Sequence, residues 1–329
     1  MNCVWKMMSR RIFTISFLVV VIGSSSAVGE ALAFNRGERV IVSTDIGGSD
    51  EDDIQSMIHF LMYADLFDIE GLISSPTKAG RKADILKVID AYEEDYPKLK
   101  NVSEKFPPPD VLREISKQGA MDPAPAAGYD QPTEGSEWII QQAHKDDSRP
   151  LYVLVWGSIT DVAQALHDDP GIKNRIRVYF ISSWNRRSDP HSFDYIDEHH
   201  PDTWMIQCET TFRGWYVGGN QTGDLGNESF VAEHIQGHGA LGNTFYPLKN
   251  RQIKMGDTPS VAWLMTGNLD DPTQPSWGGS FVKKEGRRHW WTDRPDSVLQ
   301  EGNYPGAKTV NRWREAYLRD WQKRLTWLK

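Results

Sequence analysis

Cysteine is almost missing from this chain: its 329 residues hold two, Cys3 and Cys208. Positive charge is in short supply as well, with 37 Lys and Arg against 45 Asp and Glu for a net charge of −8, a balance that argues against nucleic acid as a partner. Long apolar runs are few. The stretch Ile12 to Ile22 is too short to span a bilayer comfortably, so stable membrane insertion is not expected. Lys6, Arg10 and Arg11 precede it, and small residues follow, with Ser25-Ser26-Ala27 and Ala31-Leu32-Ala33 as cleavage sites of the right type. That layout predicts a signal peptide over residues 1–33 and a secreted or periplasmic protein, an uncleaved anchor being the alternative. Its removal takes away three basic residues and Glu30, leaving 34 Lys and Arg against 44 Asp and Glu in residues 34–329, which are expected to form one domain. Only Cys208 remains there, so an intramolecular disulfide is excluded and stability must come from a core, which a chain this long can build.

A local absence is more telling. Lys and Arg are missing from Val42 to His59, yet this stretch carries Asp45, Asp50, Asp52 and Asp53. Val40 to Thr44 is β-branched or small and reads as a buried strand, while Ile54, Met57, Ile58 and Leu61 recur at helical spacing. The acids therefore sit on a strand-to-helix turn, which in a parallel α/β sheet lies at the carboxyl ends of the strands, where such folds bind ligands. Carboxylates held that close repel one another and call for protons, a basic partner or a cation. Helix capping accounts for Asp50 or Asp52. It does not account for Asp45, which ends the strand before Gly47 and Gly48.

Strand-like and helix-like runs alternate: Val40 to Thr44, Ile54 to Ala64, Ile69 to Ser74, Ala83 to Tyr96, Trp138 to Ala143, Tyr152 to Trp156, Asp161 to Leu166 and Arg177 to Ser182. The order predicts an α/β fold, a Rossmann-like, mostly parallel sheet flanked by helices. Phe106 to Pro132 reads as a long loop, rich in Pro, Gly and Ala. From Trp184 to Gly302 only Thr203 to Gln207, Phe230 to Ile235 and Ser260 to Met265 look regular; Trp313, Tyr317, Trp321 and Leu325 then mark an amphipathic final helix. His234 and His238 stand four apart, but Gly237 and Gly239 place them at a helix end or loop rather than on one metal-binding face.

Two further segments bear on a cation. Gly157-Ser158-Ile159-Thr160 ends a strand before a helix, and Asp257 immediately precedes another helix with Pro259 near its first turn. The run TDIGG followed by DD, then FDIEGLI, YEEDYP, WGSITD, TTFRG, GDTPS and RWREAY, spans Arg39 to Trp327. In that order these segments resemble the nucleoside hydrolases, and more closely a bacterial branch of cellulose-binding, nucleoside-hydrolase-like proteins.

The resemblance implies a nucleoside hydrolase-like fold and a Ca²⁺ site in which Asp45, Asp53 and Asp257 supply carboxylates and Thr160 a backbone carbonyl. It implies Asp45 as general base toward a water, and Asp52 as an acceptor for a sugar hydroxyl. Asn185 suits a sugar contact, Glu209 is a further candidate, and Trp184 belongs to a set of tryptophans around the crevice whose rings could stack on sugars, although most of that set should be core. Each residue also has a plainer role: Asp257 and Thr160 as caps, Asp161 as first-turn charge, Asn185 as a turn residue. Three departures stand out. Six residues separate Asp45 from Asp52, where nucleoside hydrolases typically have three; Gly256 stands where many have a His; and Ser74-Ser75 replace an expected Asn. The function implied is a secreted, calcium-dependent glycosidase acting on an N-ribosyl or related bond of a sugar or nucleoside. The alternative is a non-catalytic protein that binds cellulose or another polysaccharide through a structural calcium site. Superfamily members are often dimers or tetramers, which leaves a homo-oligomer open.

Overall fold

Seven residues, Glu38–Thr44, make β1, the strand on which the sheet is organised. The computed structural model describes residues 1, 32–47, 51–76 and 81–329. Residues 2–31, which carry the expected signal peptide and Cys3, lie outside them, as do Gly48, Ser49 and Asp50. The chain divides into Met1–Leu32 and Ala33–Lys329, and every described strand and helix belongs to the second unit.

The other strands are β2 (Phe67–Ser74), β3 (Ser116–Gln118), β4 (Leu151–Val155), β5 (Ile176–Ile181), β6 (Trp204–Cys208), β7 (Phe281–Lys283) and β8 (Trp290–Asp293). They form one sheet in the order β3-β2-β1-β4-β5-β6-β8-β7. Every pairing is parallel except β7 with β8. From β1 the chain first builds outward through β2 to β3, then returns to the other side of β1 with β4. The switch point therefore lies between β1 and β4, the place beyond the strand ends where open α/β sheets bind ligands.

The principal helices are α1 (Asp52–Met62), α2 (Lys82–Val102), α3 (Glu134–Ala143), α4 (Thr160–Asp168), α5 (Pro190–His199), α6 (Thr258–Thr266) and α7 (Arg314–Leu325). Strands covered on both faces are apolar throughout, and all five residues of β4 are buried. One face packs Ile41, Val153, Val155, Val178 and Phe180 with Ile159, Val162, Leu166, Phe193 and Ile196. On the other, α6 buries all nine of its residues, and Trp156 donates through Nε1 to Ser260 Oγ at 2.8 Å.

Two expectations need correction. The stretch from Phe106 to Pro132 is not wholly loop: it contains a short helix, Pro109–Glu114, and β3. Six residues show no readable period, and β3 pairs only with β2, so neither leaves a pattern in the sequence. Phe230 to Ile235 is no ordinary helix either; a turn at Asn227–Phe230 opens into a π-type turn at Val231–Ile235. The tryptophans of the irregular region are mainly core: Trp215, Trp277, Trp290 and Trp291 are buried, whereas Trp184 is 65% exposed.

Candidate metal and sugar site at the switch point

The end of β1 delivers the first acids. Gly47 turns the chain with φ +92°, and a Cβ there would lie 2.1 Å from Asp84 Oδ2, so the turn has room only for glycine. Thr44 Oγ1 donates to Asp53 Oδ1 in a short hydrogen bond and accepts from Ile46 N at 3.1 Å. Asp52 and Asp53 open α1, where the positive end of the helix favours negative charge. The Asp45 side chain reaches the Asp53 carboxyl and hydrogen-bonds with it. Gly157, just past β4, packs so closely that a Cβ would sit 2.8 Å from Asp45 Cβ and 2.4 Å from Ser75 Oγ.

Asp257 arrives from the far end of the chain. It is buried at the start of α6 and makes no side-chain capping bond; its Oδ2 has no hydrogen-bond partner among the described residues. A plain helix cap does not describe it. The charges that bear on it most, after burial, are Asp53, Asp52 and Asp45, and together they push it well above the usual carboxylate range. Asp53 is pushed up likewise, first by burial and then by Asp45. Burial, followed by the charge of Asp53, raises Asp52 to about 7. Ser74 Oγ, Ser75 Oγ, Ser158 Oγ and Thr258 Oγ1 are also buried without partners at these strand and helix ends. Mutually repelling, oxygen-rich and desolvated, the residues fit a hard divalent cation such as Ca²⁺.

The remaining sequence-derived candidates stand at the start of α4, on the short helix after β5 and past the end of β6. Thr160 opens α4 three residues beyond Gly157, and its hydroxyl donates to Asp189 Oδ2 at 2.5 Å. Asn185 is buried, and its amide donates to the carbonyls of Trp156 and Ile181 at 2.5 and 2.9 Å, bracing the ends of β4 and β5 and leaving its oxygen for other contacts. Glu209, past the end of β6, accepts from Gln207 Nε2 at 2.7 Å and lies 3.8 Å from Arg186. Trp184 stands in solvent on the short helix Ser183–Ser188.

Several contributors were not anticipated. Lys249, Asn250 and Arg251 are three successive left-handed residues, with φ of 51°, 55° and 62°, and this unusual turn brings Lys249 Nζ to 3.8 Å from Asp52 Oδ1. The acid turn thus has a basic partner, supplied from outside the window that lacks one. Asp161, in the first turn of α4, is buried, accepts from Ala120 N at 3.0 Å and Thr133 Oγ1 at 2.5 Å, and is raised to about 6 by burial. It ties residues 119–133 to α4 beside a cavity of 250 Å³. Elsewhere Asp224, Glu233 and His234 come within 4.8 Å of one another. Arg319 bonds both oxygens of Asp224, however, so a guanidinium already supplies the positive charge there.

A family model described as "Cellulose-binding Sde182, nucleoside hydrolase-like domain" matches residues 39–281, from the second residue of β1 to the first of β7. The chain belongs to this family.

Among solved structures, this Sde182-type chain is similar to a nucleoside hydrolase-related hypothetical protein from Saccharophagus degradans described as associated with carbohydrate metabolism. The two share 26% identity over 89% of this chain and 72% of the other, with a TM-score of 0.68. It also matches an inosine-uridine preferring nucleoside hydrolase from Bacillus anthracis, at 16% identity over 87% and 99% of the two chains and a TM-score of 0.51. An inosine-guanosine nucleoside hydrolase matches at 13% identity over 89% and 100%, with a TM-score of 0.51. These last two share the fold. No curated protein matches. In this Sde182-type domain the glycine that stands in place of a histidine sits close against Asp52, so a side chain there would press on that carboxylate. A Cβ on Gly256 would lie 3.0 Å from Asp52 Oδ2 and 3.5 Å from two ring carbons of Phe212.

Proposed function

We propose that this chain is a secreted, calcium-dependent glycosidase that cleaves an N-ribosyl or related glycosidic bond by direct attack of water. The observation that carries this reading is the buried Asp257, whose Oδ2 makes no hydrogen bond to a described residue and whose carboxyl feels the charges of Asp53, Asp52 and Asp45. Asp45, Asp53 and Asp257 would hold the ion through their carboxylates, and Thr160 through its carbonyl. Ca²⁺ there would lower the pKa of a water and grip sugar hydroxyls. Asp45 then takes the proton from the attacking water, and Asp52 accepts a hydrogen bond from a sugar hydroxyl as an oxocarbenium-like sugar develops. Neither role needs a leaving-group histidine. With Gly256 in that place, a sugar with a self-sufficient leaving group fits better than a purine nucleoside.

A second reading is favoured by Trp184, whose exposed ring has the Arg187 guanidinium 5.5 Å from its centre and a glycan-stacking chemistry, and by membership of a family named for cellulose binding. Here the acid cluster is a structural calcium site and no bond is broken. One experiment separates the two. The protein, with calcium or with chelator, is given nucleosides and plant glycans, release of reducing sugar is measured, and retention on cellulose is followed in parallel for wild type and Trp184→Ala. Calcium-dependent release abolished by Asp45→Asn establishes the hydrolase. Calcium-dependent stability and Trp184-dependent retention without release establish the binding protein, and indifference to calcium and chelator removes both.

A further inference from the structure

Cationic side chains gather near Asp52. Lys249 reaches it at 3.8 Å, and Lys254 acts on both Asp52 and Lys249. Arg213 completes the group. Its Nη1 donates to Tyr216 Oη at 3.1 Å, and its guanidinium carbon sits 5.0 Å from the ring centre of Phe212 and 4.9 Å from that of Tyr304. Lys254 Nζ stands 5.6 Å from the Tyr216 ring centre. Phe212 meets the same point above Gly256 that Asp52 does, so the aromatic platform and the carboxylate share one rim. Among the described residues neither Arg213 nor Lys254 has a carboxylate within ion-pair distance. The backbone gives up its normal conformation at three successive residues to hold Lys249 here, and strain of that kind gathers at functional sites.

We propose that this rim of Lys249, Lys254, Arg213, Tyr216 and Tyr304 is an anion subsite that selects a sugar bearing a carboxylate or sulfate ester beside the bond at Asp52. A planar guanidinium laid on aromatic rings matches such a group in a two-pronged hydrogen bond, and the phenol faces match the sugar ring. The ammonium groups add charge without fixing direction, and bound acid relieves their mutual repulsion. The inference rests on reading the acid cluster as the sugar site, and it deepens that reading by naming the substrate class.

The test is calorimetric binding of galacturonate, galactose 6-sulfate and galactose to the full chain, with calcium and with chelator. We expect at least one acidic sugar to bind about tenfold or more tightly than galactose, the gain of one charge-assisted hydrogen bond. Arg213→Gln combined with Lys254→Gln should remove that preference, and high salt should remove it from the wild-type protein, which keeps the test informative if the variant misfolds. Preference for galacturonate alone assigns the carboxylate, and for galactose 6-sulfate alone the ester. Equal or undetectable binding of all three sugars overturns the subsite, as does a preference that survives both the double substitution and salt. An acidic preference without any calcium response supports the subsite and refutes the metal-dependent glycosidase, so the two can fail separately.

Discussion

Calcium should change not only how stable this protein is but the direction in which its stability depends on pH. Asp52 rises from an ordinary 3.8 to about 7, and Asp53 and Asp257 shift the same way. A carboxyl with a raised pKa in the folded state binds its proton more tightly there than in the unfolded chain. Its contribution is therefore full below the unfolded value and is lost as pH climbs through the folded one. For Asp52 the shift of about three units corresponds to roughly 4 kcal/mol lost between about pH 4 and pH 7. Without calcium, then, the melting temperature should fall across that window. Calcium replaces the protons, so its affinity should rise over the same range. At about a hundred times its Kd it adds about 2.7 kcal/mol, roughly 4–5 °C for a chain of this size. The assay is thermal unfolding at pH 5 and pH 8 with excess calcium or chelator, on the wild-type protein and on Asp257→Asn. The substitution removes one of the crowded charges, so it should raise the chelator-treated melting temperature at pH 8 while abolishing the calcium response. A wild-type melting temperature at pH 8 that ignores calcium, or an Asp257→Asn variant that responds in full, would refute the reasoning.

Three further outcomes are expected. Gly157→Ala places a methyl 2.8 Å from Asp45 Cβ, so it should erase the calcium-induced rise in melting temperature while far-ultraviolet circular dichroism stays that of the wild type. Arg39→Met leaves Glu70, a largely covered carboxylate held by two 2.9 Å hydrogen bonds, without its main partner, and should cost about 3–5 kcal/mol in urea unfolding. Trp184→Ala alters a side chain 65% exposed, so unfolding should move by less than about 0.5 kcal/mol while retention on cellulose falls.

The parallel strands were legible because burial on both faces leaves unbroken apolar runs such as Leu151 to Val155. The acid turn was legible too, since its carboxylates lie within a few residues of one another and like charge is conspicuous at short range. Lys249 was not, because nothing near it resembles the acid motif and only the left-handed turn directs it there. The burial of Asp161 was hidden for a related reason: its partners, Ala120 and Thr133, sit in a stretch without periodicity, so nothing in the sequence pointed to them. Nor could sequence tell that both N–H groups of Asn185 serve the carbonyls of Trp156 and Ile181. Local pattern reveals which residues are charged and how they repeat. It does not reveal which donors are already engaged.

Asp257 stands at the head of α6, the one principal helix whose residues are all buried. An oxygen mounted on so rigid a post cannot adjust independently of its surroundings. Small changes of volume deep inside, such as Val261→Ala or Leu264→Ala, should therefore be felt as altered grip on an ion, even though neither side chain carries a ligand atom. Affinity for the ion and quality of packing become one property, and selection for tight binding would act on the interior as much as on the acids themselves.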